Sequence, residues 1–446
     1  MQPARAPRSF DAAVYRARRA RVAANYLEDG VLVLHCGSLK TRSNDTHYRF
    51  RPDSDFYYLT GLAEPEAVMV LRPGSSPSFV LFVQPRSPEA ELWNGRRCGP
   101  EGAVSIYGAD VAYPISELDR RLPALLDGCE RLYAPQPRAE CLELVLTRAM
   151  QHLARRNRYG EHAPHVLEDA RRMLGEERIL KDAHALRCLR RAAEISCAAH
   201  VEAMRTTRPG LFEYELEALL EYHFRRHGST GPGYTSIVGG GANATILHYI
   251  DNCDPLRAGE LLLIDAGAEW DFFTADITRT FPVSGRFTPA QRDLYEVVLR
   301  ANEAGIEQAA PDITIDVIHE HCLRELCSGL RDMGLLRGSV EELIETEAYA
   351  PYYMHRTSHW LGADVHDAGL YCVSRKPRPL LPGFVFTIEP GLYVAEDDPD
   401  APEELRGVGI RIEDDVLITE EGAEVLTADV PKRVAELEAL VGQAAR

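Results

Sequence analysis

Blocks of apolar and polar residues follow one another along this chain, and the period of each block predicts its element. Asp11 is placed to cap a basic amphipathic helix running to about Leu27, with Gly30 ending it. An apolar strand follows, Val31 to Gly37, and then a polar, aromatic loop, TRSNDTHYRFRPDSDF. The apolar runs Ala67–Arg72 and Phe79–Val83 flank Pro73-Gly74 and read as a hairpin. Beyond ELWNGRR and YGADVAYP the pattern predicts a helix from about Ser116, a strand near RLYAP and a helix from Cys141 to Arg155. Strands interleaved with helices predict an N-terminal α/β domain. The polar stretch that follows holds the expected boundary, giving domains 1–176 and 177–446.

The second half opens on a helical stripe, Leu186, Leu189, Ala192, Ile195, Ala199 and Ala203, stopped by Pro209-Gly210. A second helix ends at Gly228, and GPGYTSIVGGGANATILHY reads as strand, glycine-rich turn and strand. In GELLLIDAGAEWDFFTADITRTFP (Gly259–Pro282) an apolar run delivers Asp265 to a strand end. A second strand then places Thr274, Asp276, Thr278 and Thr280 on one face and Ala275, Ile277, Arg279 and Phe281 on the other. Thr288-Pro289-Ala290-Gln291 is a helix start with capping-box spacing, and another helix spans about Thr314 to Gly334. MHRTSHWLGADVHD, FVFTIEPGLYV and GVGIRIEDDVLIT read as strands, and PKRVAELEALV as a terminal helix.

One internal echo organises this half. LLLIDAG and VFTIEPG share a plan of apolar run, acid, one residue and glycine, and each precedes a strand bearing a second acid, Asp276 or Glu413. Such a repeat suggests a pseudo-twofold site. Asp265, Asp276, Glu389 and Glu413, with His359, make a donor set suited to a pair of hard divalent cations. Each acid alone reads as an ion pair or an exposed strand end; the set in a repeated frame reads as a metal site. The histidines 248, 355 and 366 read either as core residues or as groups that hold a carbonyl or oxyanion. Arg411 lies two residues before Glu413 and either orients a carboxylate or forms a buried ion pair. His319-Glu320-His321 lacks zinc-ligand spacing, and VGGGAN lacks the residues of a phosphate loop.

Composition narrows the field. The 446 residues carry a net charge of −18, which leaves no basic excess for nucleic acid or an anionic membrane. The ten cysteines are scattered and predict reduced thiols in a cytoplasmic protein. No apolar run approaches the about 20 residues that span a bilayer, and the basic start has no following apolar segment of a secretory signal.

Taken together, LLLIDAG with TADITRTFPV, MHRTSHWLGADVHD, TIEPGLY and GVGIRIEDD resemble the pita-bread metallopeptidases, and among them the bacterial Xaa-Pro aminopeptidases (aminopeptidase P). NDTHYRFRPDSDFYYLTGLAEPEA and ELWNGRR extend the resemblance into the first domain. It implies an α/β first domain and a pita-bread catalytic domain that cleaves the bond before proline by attack of a hydroxide bridging two divalent ions, usually manganese. Asp265, Asp276, His359, Glu389 and Glu413 fall on the five ligand positions, with Asp276 and Glu413 as bridges and Glu389 as proton shuttle. His248 and His366 fall on substrate-contacting, catalytic positions, and His355, Tyr393 and Arg411 around the proline pocket and ligand shell. Trp93 and Asp45 match positions that approach a neighbouring subunit's site, and Arg375 one at the entrance, so the resemblance implies a homo-oligomer, dimer or tetramer. Arg356 stands where relatives often have glycine. A prolidase restricted to Xaa-Pro dipeptides and a non-catalytic pita-bread binding module remain alternatives.

Overall fold

The computed structural model describes residues 10–136 and 140–445. The chain divides into two compact units, residues 1–177 and 178–446.

The first unit is built on one six-stranded sheet. In chain order its elements are α1 (Ala12–Tyr26), β1 (Gly30–His35), the small hairpin β2 (Thr41–Ser43) and β3 (Thr46–His47), α2 (Ser54–Thr60), β4 (Val68–Leu71) and β5 (Phe79–Val83). There follow α3 (Pro88–Asn94), α4 (Gly99–Ser105), β6 (Val111–Pro114), α5 (Leu118–Leu126), β7 (Arg131–Ala134), α6 (Glu140–Arg156), β8 (Val166–Asp169) and α7 (Ala170–Ile179). The sheet order is β6-β5-β4-β1-β7-β8. β1, β4 and β5 pair antiparallel, whereas β6, β7 and β8 add in parallel. The unbroken apolar run of β1 is explained by burial on both faces. Leu32 and Leu34 join one core with Met69, Leu71 and Leu81, while Val31 and Val33 join the other with Val68, Val70 and Val80.

Asp11 caps α1 as expected, accepting from the Ala13 N–H. Its basic residues do not all form a solvated face. Arg18 and Arg19 turn inward, donating to the carbonyls of Tyr58 and Leu59 and lying over the Tyr58 and Phe79 rings. A guanidinium is tolerated there because carbonyls and aromatic faces replace its water. The expected loop before residue 56 ends in α2, whose cap is Asp53.

The second unit opens with α8 (Ala183–Thr206) and α9 (Glu213–Arg226), followed by β9 (Gly231–Pro232), β10 (Ile237–Gly240), β11 (Leu261–Asp265), β12 (Ala268–Trp270), β13 (Phe273–Thr274) and β14 (Thr278–Pro282). The helices α10 (Pro289–Gln308), α11 (Ile315–Asp332) and α12 (Val340–Glu345) come next, then the hairpin β15 (Cys372–Val373) and β16 (Lys376–Pro377). The chain closes with β17 (Val385–Ile388), β18 (Gly391–Val394), β19 (Val408–Arg411), β20 (Asp414–Thr419), β21 (Gly422–Val425) and α13 (Val434–Leu440). Thr288 forms the expected capping box with Gln291. Asn302 on α10 reaches the strands, donating to the carbonyls of Ile388 and Ile412.

The internal echo is a structural repeat. β11 pairs antiparallel with β14, setting Asp265 opposite Thr278, and β17 pairs antiparallel with β20, setting Ile388 opposite Asp414. The two pairs are joined at the acids. The Glu413 N–H donates to the Thr278 carbonyl, and the Asp276 N–H donates to the Asp415 carboxylate.

Three expected strands are corrected. Residues 274–281 are not one strand: the ladder stops between β13 and β14, and Asp276 sits on the irregular backbone between them. The segment after VGG is a 3-10 turn, Gly241–Thr245, so His248 lies in a turn and not at a strand end. MHRTSHWLGADVHD holds no strand, only a single bridge between Trp360 and Phe386. In each case the polar side chains are turned into one cavity, which alternation on a regular strand does not allow.

Gly267 explains the break after Asp265. A Cβ there would lie 1.7 Å from the Ala275 carbonyl oxygen. Gly267→Ala is therefore expected to destabilise the protein by about 1–3 kcal/mol, the usual range for overpacking, by forcing apart the segments that carry Asp265 and Asp276. Urea unfolding of the variant checks it.

His200 on α8 holds the same corner, its Nε2–H donating to the Ala266 carbonyl at 2.9 Å. Burial lowers its pKa from 6.5 to about 4. The unfolded chain therefore binds a proton that the folded chain refuses between those values. The stability from neutral His200 is complete above about pH 6.5 and is lost as pH falls toward 4, by about 3 kcal/mol. Unfolding free energies measured from pH 7 to 4 are expected to fall more steeply for the natural protein than for His200→Gln.

Candidate active site

A cavity of about 430 Å³ in the second unit gathers the residues singled out by the acid echo. Asp265 arrives from the end of β11, Asp276 from the break before β14, Glu389 from the end of β17, and Glu413 from the residue before β20. His359 comes from the irregular segment between α12 and β15. Its Nε2 lies 3.3 Å from Asp276 Oδ2 and 3.4 Å from Glu389 Oε1. Asp276, His359 and Glu413 present ligand atoms within 4.8 Å of one another.

Nearby groups aim these carboxylates. Arg411 Nη2 donates to Asp265 Oδ2 at 2.7 Å, and its Nη1 donates to the Tyr393 hydroxyl at 2.9 Å. Thr278 Oγ1 donates to Glu413 Oε2 at 2.6 Å, and Thr387 Oγ1 to Glu389 Oε1 at 3.2 Å. His355 Nε2 lies 2.9 Å from the Tyr393 hydroxyl. The His366 ring packs edge-on against His359, with centroids 4.4 Å apart.

The electrostatics show a site short of positive charge. Burial raises Glu413 well above the usual carboxylate range, and the charges of Asp276, Glu389 and Asp265 raise it further. Burial raises Glu389 to about 7, with Asp276 and Asp265 adding and His359 and Arg411 opposing. Asp276 is raised by burial and by Asp265. His359 is lifted to about 9: burial opposes this, but the Asp276 hydrogen bond and the charges of Glu389 and Asp276 prevail. Every one of these groups is pushed toward holding a proton. Carboxylates crowded in a buried pocket, opposed mainly by Arg411 and His359, are what a divalent cation relieves. Four carboxylates and an imidazole are also the donor chemistry that such an ion accepts.

His248, His355, His366 and Arg411 line the same cavity, and Tyr393 stands behind His355 and Arg411. Arg375 does not line it; it occupies the exposed turn between β15 and β16. Asp45 and Trp93 lie in the first unit, Asp45 exposed at the β2–β3 turn and Trp93 81% exposed on α3. One residue of the site went unread in the sequence. Tyr234 hydroxyl contacts Asp265 Oδ1 at 2.6 Å and Asp276 Oδ1 at 2.5 Å. A lone tyrosine in a glycine-rich turn carries no periodic signal, so only the folded contact shows its place.

Comparison with known proteins agrees with this geometry. The profile of metallopeptidase family M24 matches residues 187–420, and that of the aminopeptidase P N-terminal domain matches residues 15–133. The chain is 45% identical over 403 residues to the Xaa-Pro aminopeptidase of Escherichia coli strain K12, covering 90% of this chain and 91% of that protein. Aminopeptidase PepP of Pseudomonas aeruginosa superposes with a TM-score of 0.95 at 45% identity over 98% of both chains. Zinc-substituted Escherichia coli aminopeptidase P in complex with product superposes with a TM-score of 0.95 at 42% identity, over 98% of this chain and 99% of that one.

Fold and site thus define a metal-dependent peptidase with a pita-bread catalytic domain. The chain belongs to metallopeptidase family M24 and carries the N-terminal domain of the aminopeptidase P type. Among the described residues no helix is long and apolar enough to cross a membrane.

Proposed function

We propose that this protein is an Xaa-Pro aminopeptidase, removing the first residue from peptides whose second residue is proline. The observation that carries the reading is the convergence of four acids, His359 and three further histidines on one cavity. Asp265, Asp276, His359, Glu389 and Glu413 would hold two divalent ions, manganese in our reading, with Asp276 and Glu413 as the ligands that would serve both. When bound, such ions would supply Lewis-acid polarisation of the carbonyl and a water acidic enough to attack near neutral pH.

The chain's own residues supply the rest. An Xaa-Pro bond is a tertiary amide with no N–H for a subsite to grip, so the proline ring must be held by shape and its carbonyl by donors. His248 and His366 face the cavity where a carbonyl oxygen would gain negative charge, and an imidazole N–H there stabilises it. Glu389 takes the proton of the attacking water and returns it to the proline nitrogen. Its Oε2 stands 3.8 Å from His355 Nδ1, so the imidazole and the Tyr393–Arg411 pair steady its far side. The acids near the cavity floor attract the substrate's free amino group, which confines cleavage to the first residue.

Chelator treatment is expected to abolish hydrolysis of Arg-Pro-Pro, and added manganese to restore it. Turnover of Ala-Pro alone, with the tripeptide untouched under every metal tried, replaces this reading with a dipeptide-restricted prolidase. We also place the protein in solution as a homo-oligomer in the cytoplasm. Leu92 and Trp93, each 81% exposed on α3, are the apolar surface such an interface would cover. The nine described free cysteines accord with a reducing compartment. Light scattering on Trp93→Glu is expected to report a smaller species than the natural chain.

A further inference from the structure

Beside the catalytic cavity lies a second one of about 340 Å³. The two share Arg356 and Ser358. Two polar atoms at its wall stand out. Ser358 Oγ and Trp360 Nε1 are buried and have no hydrogen-bond partner. Both residues line the cavity, but what an entering ligand meets at its wall is charge.

The charge of the wall specifies that ligand further. Arg356 and Arg378 both line the second cavity, and the only carboxylate among its described lining residues is Asp316. Asp316 is engaged by Arg356. That pair has 61% and 51% of its side-chain surface exposed, and ion pairs so exposed hold only weakly. Arg356 therefore exchanges Asp316 for a better carboxylate at little cost. Ser374 and Arg375, both at positive φ, turn the β15–β16 hairpin beside the cavity, and Arg375, Lys376 and Arg378 place three cations in four positions there. On a chain of net charge −18, this basic border is a local reversal of sign.

We propose that the second cavity receives the part of the peptide beyond the proline, and that Arg356 and Arg378 select a carboxylate there, from the C-terminus or from an aspartate or glutamate side chain. The proposal rests on the peptidase reading above. It makes Arg356 a specificity-determining residue, at a position where glycine would leave the passage neutral.

The test is steady-state kinetics on Ala-Pro-Ala-Ala as free acid, as its C-terminal amide, and as the amides of Ala-Pro-Asp-Ala and Ala-Pro-Ala-Asp. Amidation is expected to raise KM about tenfold with little change in kcat, since it removes a charge-assisted hydrogen bond from binding. If the site reads side chains, aspartate in the amidated peptides recovers the lost affinity; if it reads only the C-terminus, the free acid alone is favoured. In Arg356→Gly the acid and the amide are expected to share one KM, and Arg356→Lys to keep part of the gap. Equal KM for all four peptides in the natural protein, or an undiminished gap in Arg356→Gly, overturns the proposal and leaves the peptidase reading standing. Absence of cleavage of all four with manganese present overturns both.

Discussion

Glu413→Gln is expected to lower kcat/KM on an Xaa-Pro tripeptide on the order of a thousandfold or more, with the fold intact. The substitution keeps the size of the side chain and its place beside Thr278, whose Oγ1 donates to Glu413 Oε2. It removes one unit of negative charge from a carboxylate that faces Asp276, Glu389 and Asp265 in a buried site. In the proposed role Glu413 serves both cations, and a neutral amide is a much weaker ligand, so bound metal should fall along with turnover. Metal content after dialysis and kcat/KM with saturating manganese are the two measurements. Near-natural activity with a full metal complement would falsify the shared-ligand role of Glu413. Because the acids crowd one another, the apoprotein of the variant should also be no less stable than the natural apoprotein, which separates a ligand role from a structural one.

The second large effect belongs to the residue next door. Asp414→Ala is expected to destabilise the protein by about 3–5 kcal/mol, the usual consequence of leaving one member of a buried pair alone. Arg279 and Asp414 are both fully buried, with Arg279 Nη2 donating to Asp414 Oδ1 at 2.7 Å. Lys432 Nζ donates to the other oxygen at 2.7 Å, and Thr427 adds a third hydrogen bond. Burial works against this carboxylate, yet Arg279 and Lys432 hold it well below the usual carboxylate range. Its folded-state pKa is thus depressed: the stability it contributes is present above about pH 4 and is lost as pH falls below that. Arg279 Nη1 also donates to the Glu413 carbonyl at 2.5 Å. Removing Asp414 therefore frees a cation directly behind Glu413, the ligand proposed above, and activity should fall with stability. Urea midpoints at constant m-value measure the first effect. An Asp414→Ala protein as stable as the natural one would show that the pair merely balances its own desolvation.

How much of this was legible beforehand depends on range. Apolar runs such as Val31–Leu34 and Leu261–Ile264 announced strands because burial on both faces leaves no room for polar residues. Thr288-Pro289 and Asp11 announced helix starts because capping is satisfied within three residues. The segments read wrongly, 241–250, 274–281 and 354–367, lie around the cavity. There the backbone follows the needs of Asp276, His248, His359 and His366, and local propensity loses to tertiary demand. Tyr234 was invisible for the same reason, since its hydroxyl finds Asp265 and Asp276 at 31 and 42 residues' distance.

What the sequence determined by itself was the inventory: four acids in two matching frames, a histidine-rich segment, and words shared with a family of proline-directed peptidases. These are statements about residue type and local period, and they survive without coordinates. What only the tertiary structure decided was the physics of the site. It showed the four acids and His359 crowded until burial raises three of the acids, Arg411 bound to Asp265, and Arg356 standing between two cavities. Desolvation and charge–charge interaction depend on distances between residues far apart in the chain, and no reading along the chain contains those distances.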